Sequence, residues 1–111
     1  MEEGPQGWGA PLYARVLDVA GVRDGTNVLD LGCGAGGFAR VAADRGALVT
    51  GLDVDRSAVV AAAAAVPTGR FLVGDAHDPP PGPFDVVAAV QLLAHVVNPV
   101  AVLRAAARVG G

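Results

Sequence analysis

The sequence contains no lysine. Its eight cations are all arginine, set against eleven carboxylates for a net charge of −3. The arginines are scattered, whereas nucleic-acid affinity needs clustered cations that neutralise phosphates, so no nucleic-acid partner is expected. Cysteine occurs once, at Cys33, which excludes an internal disulfide and fits a reducing, cytoplasmic setting. Long apolar runs are missing too. The longest, 58–66, has nine residues against the twenty or so of a membrane span, and it lacks a basic face, so neither a spanning nor a surface-lying helix is expected. The opening Met1-Glu2-Glu3-Gly4-Pro5 has no signal-peptide character. Charged residues are 17% of the chain and apolar ones 52%, which excludes intrinsic disorder. What remains is 111 residues, one domain's worth, able to bury about two-thirds of its unfolded surface.

Residues 1–9 hold Gly4, Pro5, Gly7 and Gly9 and read as a flexible lead-in to a single domain over 10–111. From Ala10, apolar residues at Leu12, Tyr13, Val16, Leu17 and Ala20 follow the helical period up to Gly21. Short strand and helix signals then alternate. Strands are expected at 27–31, 48–52, 70–73 and 84–90, and helices at 35–45, from the N-cap Asp55 to Pro67, and at 100–109. A rigid Pro-rich loop spans 77–83. The strands are apolar on both faces, which predicts a Rossmann-like, three-layer α/β/α fold around a parallel sheet.

The chemistry concentrates where strand one runs into glycines that open a helix, in Val28-Leu29-Asp30-Leu31-Gly32-Cys33-Gly34-Ala35-Gly36-Gly37-Phe38. Glycine there allows a sharp turn and lets a ligand touch backbone, and the helix N-terminus offers amides to an anionic group. Gly32, Gly34 and Gly37 also fit the G-x-G-x-x-G pattern of nicotinamide and flavin nucleotides, so an NAD(P)-dependent oxidoreductase is an alternative. The acids argue otherwise. Asp30, two residues before Gly32, would repel a pyrophosphate but suits a ligand carrying an ammonium beside a carboxylate, as S-adenosylmethionine does. Asp53, 21 residues after Gly32, ends strand two and suits a ribose diol. Asp75 ends strand three and suits the exocyclic amine of adenine, with the Ala76 amide for a ring nitrogen.

On these residues the chain resembles the class I S-adenosylmethionine-dependent methyltransferases, in the group acting on small molecules. Residues 28–38 are similar to the family's glycine motif, with Gly32, Gly34 and Gly36 shaping the loop. Leu52-Asp53-Val54-Asp55 resembles its ribose motif and Gly74-Asp75-Ala76 its adenine motif. Phe84-Asp85-Val86-Val87 resembles its fourth strand, and His95-Val96-Val97-Asn98-Pro99 the segment after it. The resemblance implies S-adenosylmethionine as cofactor, methyl transfer to a small-molecule acceptor, and Val54 against the adenine.

The family's sheet has seven strands, and only four are expected here. A chain excerpted from a longer product accounts for this best. A homodimer paired through the strand-four edge and a catalytically inactive nucleotide-binding remnant are the alternatives. His95 is the one candidate general base, although a backbone-bonded polar residue is the preferred reading. Gln91 either faces the methionine part of the cofactor or caps strand four. His77 could flank the adenine but reads better as a solvated loop residue. Tyr13 either covers the cofactor or packs in the core. Cys33 reads as a small residue in a tight turn, Asp85 as a structural residue inside strand four, and no metal site is indicated.

Overall fold

The computed structural model describes residues 8–90. Seven elements follow in order: α1 (Trp8–Ala20), β1 (Asn27–Leu31), α2 (Gly37–Asp44), β2 (Leu48–Asp53), α3 (Arg56–Ala65), β3 (Arg70–Val73) and β4 (Val86–Ala88). The four strands form one parallel sheet in the order β3-β2-β1-β4. The chain therefore steps outward from β1 to β3 and then crosses back to the other side of β1. That reversal opens a crevice beyond the carboxyl end of β1, the usual ligand position in sheets of this kind.

Successive residues of β1 face opposite sides of the sheet, and both sides are apolar. Val28 joins a core with Leu17 of α1, Phe38 and Ala42 of α2, Val49 of β2 and Val66 beyond α3. Leu29 and Leu31 join a second cluster with Leu52, Ala76 and Ala89, packed by Leu72, Phe84 and Val87. The helix expected over 100–109 lies outside the described residues, as do Gln91 and His95. Among the described residues, no helix is long and apolar enough to cross a membrane.

Element ends differ from expectation for local reasons. The α1 segment is already helical at Trp8 and takes Pro11 in its first turn, where a missing backbone N–H is tolerated. It stops at Gly21 (φ 72°), where the Gly21 amide donates to Asp18 O and the Val22 amide to Leu17 O. The start of α2 falls at Gly37, two residues late, because Gly36 (φ 94°) is outside helical space. Asp55 caps α3 as expected, accepting from the Ser57 amide at 2.9 Å and its hydroxyl at 2.7 Å. The end of α3 comes before Pro67 because the ring disfavours helical backbone in Val66 (φ −129°, ψ 78°).

Strand four is shorter than 84–90. Only Val86–Ala88 pairs, opposite Val28, Leu29 and Asp30 of β1. Asp85 lies just ahead of the strand instead of inside it. Its Oδ2 accepts from the Asn27 amide at 2.8 Å, and its own amide donates to Asn27 O at 2.9 Å. This double bond pair fixes the register of β4 against β1. On the helical side, Arg45 ties α2 to α1 through Asp18 at 2.6 Å and Ala14 O at 3.3 Å. Tyr13 packs edge-on to Phe38 with ring centres 5.5 Å apart, in the core.

Candidate functional site

The glycine loop continues β1 past its last paired residue. Gly32 and Cys33 both donate to Leu52 O, at 2.7 and 2.9 Å, so the loop stays fastened to the end of β2. Gly34 donates to Asp53 Oδ2 at 2.9 Å, and Gly36 to Cys33 O at 3.1 Å. Gly32, Gly34 and Gly36 have φ of 69°, 56° and 94°, a left-handed backbone that side chains disfavour. These four bonded amides are not offered to a ligand. The amides that remain are those of Ala35 in the loop and of the first turn of α2, which have no intrahelical acceptor.

Asp30 is completely buried, and neither carboxylate oxygen has a hydrogen-bond partner. It sits opposite Gly51 on one side and Ala88 on the other, and neither of these cross-strand neighbours has a donor side chain. Burial pushes its pKa up to about 8, and the nearby Asp53 charge adds to this. An isolated buried carboxylate is costly, whereas a cation that pairs with it recovers a strong charge-assisted contact. Cys33, next to it in the loop, is also buried, and its thiol is pushed up to about 12, by burial first and then by Asp30 and Asp53. It stays protonated at neutral pH and is no nucleophile.

Asp53 at the end of β2 is half-buried and already engaged. Its Oδ2 takes the Gly34 amide and its Oδ1 the Asp55 amide, each at 2.9 Å. Each carboxylate oxygen accepts a second bond, so both remain available to a diol. Asp75 follows β3, and its Oδ1 accepts from the His77 amide at 2.8 Å and lies 3.0 Å from His77 Nδ1. The bond from the His77 amide, followed by that to its ring, holds the Asp75 carboxyl below the usual range.

A cleft of about 100 Å³ runs between these ends, lined by Gly32, Leu52, Asp53, Val54 and the segment 74–77. Of the residues singled out in the sequence, it gathers Gly32, Asp53, Val54, Asp75 and Ala76. Val54 is 70% exposed at its lip, an apolar surface a flat ring would cover. Asp30 lies behind the loop instead of lining the cleft, Gly34 reaches it through Asp53, and Gly36 shapes the start of α2. Gln91 and His95 lie outside the described residues. His77 is a solvated loop residue, with more than half of its side chain exposed, and it also lines the cleft and bonds Asp75. Its signal in the sequence is its place two residues after an aspartate, the spacing of an Asx-turn.

Residues 29–110 match the family model described as a methyltransferase domain. The chain is 39% identical over 103 residues to the ubiquinone biosynthesis O-methyltransferase of Sodalis glossinidius, covering 84% of this chain and 40% of that protein. It is 40% identical over 105 residues to the protein of the same name from Shewanella halifaxensis, covering 87% and 44%. It thus spans less than half the length of these relatives. Among solved structures, the magnesium protoporphyrin IX methyltransferase of Synechocystis, with bound SAH, superimposes with a TM-score of 0.79 at 26% identity, over 96% of this chain and 52% of that one. With the parallel sheet and the glycine loop already in place, these matches assign the chain to the methyltransferase-domain family, among the class I S-adenosylmethionine-dependent methyltransferases.

Proposed function

We propose that this domain binds S-adenosylmethionine and belongs to an enzyme that moves the methyl group to a small-molecule acceptor. The observation that carries the reading is Asp30, a buried carboxylate without a donor, behind a glycine loop held by a second carboxylate. A diphosphate would be repelled by the Asp53 carboxylate, whereas an amino-acid end brings an ammonium that can pair with Asp30 once it gives up its proton. Asp30 is enclosed in the ligand-free chain, so in this reading the loop over it parts to let the ammonium meet its carboxyl, and the first turn of α2 receives the carboxylate. Asp53 accepts from the ribose hydroxyls while it holds Gly34 in place. Val54 packs on the base, Asp75 accepts from its amine, and the Ala76 amide donates to a ring nitrogen. When bound, the cofactor supplies a methyl group activated on a sulfonium, so the work of these residues is to position it.

The acceptor side is assigned to no described residue. Gln91 beside the methionine part and His95 as general base are proposals on residues beyond Val90. A second copy pairing at the outer edge of β4 is the assembly proposed, supported by β4 being outermost on its side of the described sheet. A cytoplasmic location goes with the single cysteine.

Thermal shift with two ligands tests the reading. S-adenosylhomocysteine is expected to raise the melting temperature with concentration, and NADH to leave it unchanged, because only a ligand that binds the folded state stabilises it. Stabilisation by NADH alone would instead favour an oxidoreductase.

A further inference from the structure

Asp75 is exposed at the end of β3, where an unsupported carboxylate would sample several rotamers. It does not stand alone. The His77 amide and ring Nδ1 both meet the same oxygen, Oδ1, at 2.8 and 3.0 Å. The turn beneath is closed by the Asp78 amide donating to Asp75 O at 2.9 Å. It then runs into Pro79, Pro80 and Pro81, whose fixed φ stiffens the loop that carries His77. Two donors on one oxygen set the carboxylate torsion and leave Oδ2 as the acceptor. The ring that supplies one of them also lines the cleft, with Asp75, Ala76 and Val54.

We propose that His77 is a positioning residue that sets the base specificity of this site: by holding Asp75 through Oδ1, it presents Oδ2 as an acceptor that selects a 6-amino purine over a 6-oxo purine. This rests on the reading that a purine nucleoside of the cofactor occupies the cleft. A 6-amino group donates to a fixed carboxylate oxygen, whereas a 6-oxo group places its own lone pairs against it. A site built to hydrogen-bond one group discriminates through the unpaired partner it leaves with the other, and it discriminates less when its acceptor can swing away. Holding Asp75 therefore bears on the difference between the two bases more than on either affinity alone.

The test is a calorimetric titration of S-adenosylhomocysteine and of its 6-oxo analogue, S-inosylhomocysteine, into the full chain and its His77→Ala, His77→Asn and Asp75→Asn variants. The preference for the 6-amino ligand is expected to fall about three- to tenfold in His77→Ala, the loss of one net hydrogen bond. His77→Asn, whose amide nitrogen can take the place of Nδ1, is expected to recover most of it. Asp75→Asn is expected to abolish most of the preference. An unchanged preference in His77→Ala, with S-adenosylhomocysteine still bound, would overturn the proposal, as would an equal loss for both ligands. An unchanged preference in Asp75→Asn would overturn it through Asp75. Failure of S-adenosylhomocysteine to bind the unaltered chain would instead remove the cofactor reading on which the proposal stands.

Discussion

Replacing Asp30 with asparagine is expected to stabilise the ligand-free chain at pH 8 and to weaken S-adenosylhomocysteine binding by roughly 10- to 100-fold. Both effects come from one buried carboxyl group. Its pKa is raised from 3.8 to about 8, by burial and then by Asp53. Between those two values the folded chain holds a proton that the unfolded chain has released. Stability then falls as pH rises, by about 1.4 kcal/mol per pH unit, and levels off above the folded pKa. An amide of the same shape does not titrate, so the asparagine variant lacks this slope. Urea midpoints from pH 4 to pH 9 should coincide near pH 4 and separate progressively towards pH 8, with the variant the more stable. The loss of affinity has the opposite sign because the amide cannot pair an ammonium as a carboxylate does. Parallel pH profiles for the two proteins would show that Asp30 is not the buried, unpartnered group described above.

The second large effect is expected at Gly36. Alanine there must adopt φ 94° and would bring its Cβ to 3.1 Å from Ala62 Cα and 3.2 Å from Ala62 Cβ. The backbone penalty is about 1–2 kcal/mol, and the α2–α3 contact must also give way, for a total of about 2–4 kcal/mol. For a domain of this size the melting temperature should fall by on the order of 10 °C or more. Gly21→Ala provides the comparison, since Gly21 also has a positive φ (72°) but nothing within 4 Å of an added Cβ. It should cost only the backbone term, about 1 kcal/mol. Equal losses at the two positions would mean that the approach of the loop to α3 contributes nothing. The Gly36 variant should also bind S-adenosylhomocysteine more weakly, because the start of α2 moves with the loop.

Much of this was legible in residue types alone. Glycines that run from a strand into a helix permit few other backbones, and Asp30, Asp53 and Asp75 each stand at or just beyond the end of an apolar strand run. What the sequence could not show was who already bonds whom. Asp53 reads as a free ribose acceptor, yet both its oxygens hold backbone amides that fix the loop. Asp30 reads as a rim residue, yet the flanking strands enclose it. The apolar run 84–90 reads as one strand, but its paired length is set by register with β1, and Asp85 marks where that register begins. His77 reads as a solvated loop residue and is one, but its bond to Asp75 is made only after the turn at 75–78 has folded. Helix ends show the same division, since the proline effect on Val66 is readable but the shift of α2 to Gly37 follows from a backbone angle.

A crystal structure of the chain grown with S-adenosylhomocysteine tests the central electrostatic claim most directly. The ligand's ammonium is expected beside Asp30 and its ribose hydroxyls on Asp53, each at about 3 Å, with the Gly34 amide still bound to Asp53. A ligand whose ribose rests on other residues, while Asp30 stays enclosed with no cation near it, would contradict that claim.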